Sequence, residues 1–267
     1  MHTIAVIGAG QIGETLLAGL LRSGWPTDKL VATERRPERA ADLASRYGVR
    51  MVENAEAVMV ADVLAIAVKP QDAAALMAEL GPLVPADKLV VSLCAGLPIS
   101  FFAKSLPEGT PVVRVMTNTP AFVDQAMTAI SGGPHATDDH LALAEEMFKP
   151  LGKTIRLPES QQDAVTALSG SGPAYFFYLV EAMTDAGILL GLPRAVAHDL
   201  IVQTAVGSAI MLRDSGEHPV KLREAVTSPG GTTIAAIREM ENHGVRAAML
   251  SALEAARDRA RELAANA

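Results

Sequence analysis

The stretch Thr3-Ile4-Ala5-Val6-Ile7-Gly8-Ala9-Gly10-Gln11-Ile12-Gly13 sets the architecture of the first half of the chain. A short, β-branched apolar run reads as a buried strand, and it passes directly into a Gly-x-Gly-x-x-Gly turn that opens a helix-like segment, Glu14 to Ser23. In that context each glycine has a physical task. The first permits the tight turn, the second lets backbone approach a pyrophosphate, and the third brings helix close to strand. The amides at the helix start would then face an anion along the positive end of the dipole. A dinucleotide site is expected here, against the competing reading of a glycine turn used only for packing.

Outward from this unit, short apolar runs keep alternating with alanine-rich helical patterns as far as Pro158. Strands are expected at Leu30 to Thr33, Val63 to Ala67, Leu89 to Ser92, Val112 to Val115, Ala126 to Ile130 and Lys153 to Leu157. Helices are expected at Pro37 to Tyr47, Asp72 to Gly81 and Asp138 to Lys149. The near-continuous apolar strands imply a sheet covered on both faces. Beyond Pro158 the strand-like runs stop and helices punctuated by glycine and proline take over. The fold class is therefore an α/β Rossmann-like dinucleotide-binding domain, residues 1–158, followed by an all-α dimerisation domain, residues 159–267. Ala174 to Leu190 and Ile201 to Leu212 are apolar on nearly every side, so helices of a partner subunit are expected to cover them.

The end of the second strand should meet the adenosine ribose, and there the chain reads Thr33-Glu34-Arg35-Arg36-Pro37. Glu34 suits a ribose 2′-hydroxyl and hence NAD, whereas Arg35 and Arg36 suit a 2′-phosphate and hence NADP. The two arginines favour NADPH, with NADH as the other donor. Two further loops should reach the same carboxyl edge of the sheet. Ala67-Val68-Lys69-Pro70 brings a lysine and a stiffening proline, and Cys94-Ala95-Gly96 brings small residues that allow close approach.

A second candidate site is Ser228-Pro229-Gly230-Gly231-Thr232-Thr233. Proline stops the preceding helix, two glycines let the backbone turn, and the amides of the next helix are free to hold a carboxylate. The plainer alternative is a helix connection with a threonine cap.

Bulk composition limits the remaining classes. With 267 residues, 49% hydrophobic and 20% charged, the chain is long enough for two globular domains. A net charge of −7 without basic runs argues against nucleic acid. The N-terminus lacks a basic region followed by an apolar stretch and a cleavage site, and apolar runs are interrupted well short of about 18 residues. A cytoplasmic protein without membrane contact is expected. The one cysteine, Cys94, lies in an apolar run and reads as a buried structural thiol, and the six histidines lack ligand spacing, so no metal is assigned.

The ordered motifs GAGQIG, AVKP (Ala67 to Pro70), MTNTP (Met116 to Pro120), LSGSGPAY (Leu168 to Tyr175), GLPR (Gly191 to Arg194), EHP (Glu217 to Pro219) and SPGGTT together resemble pyrroline-5-carboxylate reductase over essentially the whole chain. The resemblance implies reduction of the cyclic imine 1-pyrroline-5-carboxylate to L-proline with NADPH or NADH, the last step of proline biosynthesis. It also implies a homodimer through the helical domain, in several members a decamer of five dimers, with the active site at the dimer interface. Family nucleotide contacts fall on Gly8, Gly10, Gln11, Ile12, Asn54, Ala67, Val68, Lys69 and Pro70. Asn54 on its own would read as a helix cap. Substrate contacts fall on Gly231, Thr232 and Thr233, with Glu159, Thr166 and Ser171 nearby. Backbone amides of Gly231 to Thr233 are then expected to hold the substrate carboxylate while the Thr233 hydroxyl, the catalytic group, hydrogen-bonds the ring nitrogen; a water near Glu159 would adjust the proton count. Thr117 stands where many bacterial members have proline, which should alter only loop stiffness.

Related readings stay open at this level. An imine reductase for another ring, or a β-hydroxyacid dehydrogenase, would share the fold. The latter normally needs a lysine on the long interdomain helix, and Ala174 to Leu190 contains none. A noncatalytic NADP-binding sensor would have no use for the SPGGTT turn.

Overall fold

In the computed structural model, which describes residues 1–265, eight strands form one sheet in the order β3-β2-β1-β4-β5-β6-β7-β8. The strands are β1 (Ile4–Ile7), β2 (Leu30–Thr33), β3 (Arg50–Met51), β4 (Val63–Ile66), β5 (Leu89–Ser92), β6 (Val112–Met116), β7 (Ala126–Gly132) and β8 (Gly152–Arg156). All neighbours pair in parallel except β6 with β7. Ile4 lies between Leu30 and Val63, and Ile7 between Thr33 and Ile66, so the central strand is in register on both sides. Because β2 and β3 lie to one side of β1 and β4 onward to the other, connections reverse between β1 and β4, where doubly wound sheets open a ligand crevice.

The period-two alternation of β1 supplies both cores. Ile4 and Val6 join Leu16, Leu17, Leu20, Leu43 and Phe148 on one face, and Ala5 and Ile7 join Leu64, Met77, Leu80 and Phe102 on the other. The covering helices are α1 (Gln11–Arg22), α2 (Pro37–Tyr47), α3 (Asn54–Val60), α4 (Pro70–Leu80), α5 (Ile99–Ala103) and α6 (Asp138–Phe148). Local chemistry fixes their ends. Pro37 opens α2 and the left-handed Gly48 closes it, while Thr137 and His140 form a reciprocal capping box on α6.

After β8 come α7 (Gln162–Val165), a π-helical turn (Thr166–Gly170), α8 (Gly172–Leu189), α9 (Arg194–Ser215), α10 (Pro219–Ala225), α11 (Thr232–Asn242) and α12 (Val245–Ala265). The chain divides into two compact units, Met1–Ser171 together with the chain from Ala256 on, and Gly172–Ala255. This differs from a division at residue 158. Residues 159–171 are tied to the sheet unit by Arg114, which reaches Glu159 at 3.4 Å and Asp163 at 3.5 Å, and by the buried Gln162, whose Nε2 donates to Ser131 Oγ at 2.8 Å. The last turns of α12 belong to the same unit, with Ala260 buried and Arg261 3.9 Å from Asp163.

In the helical unit α8 and α9 pack on each other, with Gly187 so close to Ala197 that a Cβ there would sit 2.7 Å from the alanine methyl. Beside exposed charges such as Asp185 and Asp199, their surface carries many uncovered apolar side chains, including Phe176, Phe177, Tyr178, Leu200, Val206 and Met211. Although its apolar runs are interrupted well short of about 18 residues, α9 is long and apolar enough to cross a membrane by length and composition, contrary to the expectation, with a mean hydropathy of 1.5. Its polar residues are spaced along the helix, so they break the run without lowering the average much.

Candidate dinucleotide and substrate sites

The C-terminal ends of β1, β2, β4 and β5 bring the glycine turn, the Glu34 to Arg36 segment, Ala67 to Pro70 and Cys94 to Gly96 to one edge of the sheet. Thr33 anchors the glycine turn. Its hydroxyl accepts the Gly8 N–H at 3.1 Å and its carbonyl accepts the Ala9 N–H at 2.8 Å. Gly8 is left-handed at φ +86, and a Cβ there would meet Val68 Cγ1 at 2.6 Å. Gly13 presses on the Gly8 carbonyl, where a Cβ would lie 2.6 Å from the oxygen. Gly10 differs from both, because nothing lies within 4 Å of its Cβ position. It is also the N-cap of α1 and offers no side chain, so the first amides of α1, on Gln11 and Ile12, carry no side-chain cap. Two glycines thus build the turn, and the third leaves room above uncapped amides, which is the cradle a pyrophosphate fits.

Around the ribose position, Glu34 is tied to its neighbour. Glu34 Oε1 accepts the backbone N–H and Nε of Arg36, each at 3.1 Å, and Oε2 accepts Nη2 at 3.1 Å. The Arg36 guanidinium holds the Glu34 carboxyl below its ordinary range, against the opposing effect of burial. Arg35 reaches Asp72 on α4 at 3.0 Å. Below this segment, Glu14 pairs with Arg39 and Arg46 and accepts the Tyr47 hydroxyl at 2.9 Å. That cluster carried no motif and was not anticipated; only the polar face shared by α1 and α2 could have suggested it.

Lys69 is the N-cap of α4 and gives it no side-chain cap, and Pro70 fills the first helical position. Asn54 does not cap α3. Glu53 holds the N-cap position, and Asn54 Nδ2 instead lies 3.4 Å from Glu79 Oε1 on α4. Cys94 is buried, with Sγ 3.4 Å from the Val68 carbonyl, and burial pushes its thiol up to about 12. Ala95 is exposed, but the close approach at Gly96 is made by the chain's own last helix, since Leu263 Cβ would lie 3.9 Å from a Cβ there.

The segment from Glu159 to Ser171 holds surprises for a substrate role. Glu159 is an acceptor already engaged, taking the Ile99 N–H at the start of α5 at 2.6 Å and facing Arg114. It is neither an exposed cap nor a free carboxylate. Thr166 Oγ1 donates to the Gln162 carbonyl at 2.9 Å, within its own helix. Ser171 ends the π turn, its N–H reaching the Thr166 carbonyl at 2.8 Å, so the glycine-rich SGSGP stretch is helical rather than a loop. Thr117 hydrogen-bonds Thr128 through their hydroxyls at 2.9 Å, so the residue in place of proline adds a tie to β7.

In the helical unit, Gly231 is the N-cap of α11 and supplies no side-chain cap, which removes the threonine-cap reading. Gly230 is left-handed at φ +66, the Gly231 N–H closes a turn onto the Ser228 carbonyl at 3.1 Å, and a Cβ on Gly231 would collide with Ser228 Oγ. Thr232 and Thr233 occupy the first two helical positions, where their amides cannot bond within the helix.

Two uncapped helix starts, one behind a dinucleotide turn and one behind a proline-glycine turn, suit a reductase acting on a small anion. Residues 3–96 match the family described as NADP oxidoreductase coenzyme F420-dependent, and residues 159–263 match pyrroline-5-carboxylate reductase dimerisation. The chain is 44% identical to pyrroline-5-carboxylate reductase of Mycobacterium tuberculosis, covering 98% of this chain and 97% of that protein. It is 42% identical to the enzyme of Corynebacterium melassecola, over 98% and 99%. The solved structure of the Coxiella burnetii enzyme superposes with a TM-score of 0.92 at 34% identity, covering 98% of both chains. That of the Plasmodium falciparum enzyme, with NADP bound, gives 0.88 at 25% identity over 98% of both. The matched dimerisation region contains the helical unit with α8 and α9, and the chain is an NAD(P)H-dependent oxidoreductase. With its length, motif order and both units matched, it belongs to the pyrroline-5-carboxylate reductase family.

Proposed function

We propose that the chain reduces 1-pyrroline-5-carboxylate to L-proline, taking NADPH in preference to NADH, with the substrate held at Gly231 to Thr233. The observation that carries the substrate assignment is the uncapped start of α11 behind the left-handed Gly230. Amides of Gly231, Thr232 and Thr233 would hold the carboxylate, and the Thr233 hydroxyl would hydrogen-bond the ring nitrogen and orient the imine. Bound reduced nicotinamide supplies the hydride. The chain's contribution is chiefly positioning, because a planar imine carbon is already electrophilic. The threonine hydroxyl is too weak an acid to give up its own proton at neutral pH, so it orients the ring nitrogen by hydrogen bonding and the proton that the nitrogen gains comes from solvent.

On the nucleotide side, Gly10, Gln11 and Ile12 would take the pyrophosphate, with Gly8 shaping the turn, Arg35 and Arg36 meeting the 2′-phosphate, and Asn54, Val68, Lys69 and Ala95 lining the approach. Glu159, Thr166 and Ser171 then support the site by holding neighbouring backbone. The α8 and α9 faces meet a second copy rather than lipid, five dimers close a decamer, and the assembly works in the cytoplasm, where Cys94 stays a thiol.

The test is oxidation of NADPH and NADH with pyrroline-5-carboxylate, beside piperideine-6-carboxylate and a β-keto acid. Selective oxidation with the first substrate is expected; none with it would remove the proposal.

A further inference from the structure

The Glu34–Arg36 pair points to a division of labour at the ribose position that neither residue type alone suggests. An acidic residue at the end of the second strand ordinarily serves the ribose hydroxyls. Here three of a carboxylate's roughly four acceptor positions go to Arg36, namely its backbone N–H, Nε and Nη2. The Glu34 side chain is 9% exposed, whereas that of Arg36 is 69% exposed. Of the five guanidinium N–H donors, Nε and one on Nη2 are committed. Both hydrogens of Nη1 and the second of Nη2 remain as an outer edge, with no partner among the described residues. Such an edge matches two oxygens of a phosphate. The backbone bond also fixes Arg36 where it serves as N-cap of α2.

We propose that Glu34 is a positioning residue for NADP: it does not read the ribose, but pins Arg36 so that the outer guanidinium edge is presented to the 2′-phosphate. This rests on the dinucleotide site proposed above. It makes a prediction opposite in sign to simple charge repulsion, under which removing a carboxylate near a phosphate would tighten binding.

The experiment measures NADP+ and NAD+ dissociation constants by titration calorimetry on the full chain, without substrate, for wild type, Glu34→Gln, Arg36→Ala and the double variant. Glu34→Gln should weaken NADP+ by about fivefold and NAD+ by less than about twofold, and Arg36→Ala should weaken NADP+ by about tenfold or more. In the Arg36→Ala background, Glu34→Gln should change NADP+ affinity by less than about twofold, because the positioned group is gone. Tighter or unchanged NADP+ binding in Glu34→Gln, or an effect that persists in the double variant, would overturn the positioning role. Equal weakening of NAD+ would show that Glu34 reads the ribose and overturn it too. NADP+ binding unaltered by Arg36→Ala would instead refute the 2′-phosphate reading itself while leaving the pyrophosphate site untouched. Circular dichroism melts of each variant separate misfolding from these outcomes.

Discussion

Asn118 Nδ2 donates to the Ser169 carbonyl at 3.1 Å, the carbonyl that an ordinary helix would pair with the N–H of residue 173. Residue 173 is proline and has no N–H, so the amide side chain supplies the missing donor, and the chain passes this point in a wide π turn. Asn118 Oδ1 meanwhile accepts the Met127 N–H at 3.1 Å, so one side chain serves two backbone groups.

Replacing Asn118 by alanine therefore strands a donor and an acceptor together. The expected cost is about 1–3 kcal/mol, read from urea unfolding of the wild type and Asn118→Ala. Asn118→Asp keeps the acceptor for Met127 but sets a second carboxylate oxygen against the Ser169 carbonyl, so it should lose at least as much. A variant as stable as wild type would mean that water replaces both bonds.

The three glycines of the first turn should separate by experiment. Gly8→Ala meets both the left-handed φ and Val68, and strain of this kind costs about 1–3 kcal/mol. Gly10→Ala has open space and should keep the melting temperature, yet lower NADP+ affinity by about tenfold, equal to ~1.4 kcal/mol. Loss of stability at Gly10 with unchanged nucleotide binding would reverse the assignment.

The sheet was legible because IAVI, LVAT and VLAI are apolar runs between helix patterns, and burial on both faces demands that composition. The antiparallel direction of β7 was not, since a strand's residues look alike whichever way it runs. The two-residue β3 is too short for any period. At the site, glycine and proline marked where backbone is exposed, so the turns at Gly8 and Gly231 could be found. Partners distant in sequence could not. Nothing near Gly96 announces that α12 covers it, and nothing near Glu159 announces the Ile99 N–H, 60 residues away. Arg114, a charged residue inside the apolar run Val112–Met116, could have signalled a buried partner, but that run reads first as a strand and names no partner.

At the substrate turn, Gly231→Ala should raise the Michaelis constant for pyrroline-5-carboxylate, because the new methyl displaces Ser228 and tilts the amides. Thr233→Ala should lower turnover on the order of 100-fold, while NADP+ affinity stays within about twofold of wild type. Kinetics of Thr233→Ala indistinguishable from wild type would take the hydroxyl out of the reaction.

Acid should weaken the sheet unit partly through Glu14. Burial raises its carboxyl, but the Tyr47 hydroxyl and the Arg39 and Arg46 guanidinium groups outweigh burial and leave it below the ordinary 4.5. A depressed folded-state value means stability that is present above the ordinary value and lost as pH falls through the lowered one. The stability difference between wild type and Glu14→Gln, followed by urea midpoints, should hold near neutral pH and shrink below about pH 4. A difference that grows on acidification would contradict the sign.

Glu159 offers the sharpest separation of anchoring from chemistry. Its carboxylate accepts the Ile99 N–H and faces the buried Arg114, so deletion should act on the fold. Glu159→Ala should cost about 2 kcal/mol of stability, the loss of one acceptor and of a charge partner for Arg114. Glu159→Gln keeps an acceptor for Ile99, and Asp163 still stands 3.5 Å from Arg114. Turnover by Glu159→Gln should then stay within about threefold of wild type, since a positioning acceptor needs lone pairs and not a proton. If the glutamine variant instead loses turnover with its melting temperature intact and the acid limb of its pH–rate profile displaced, Glu159 takes part in proton transfer and the anchoring account fails.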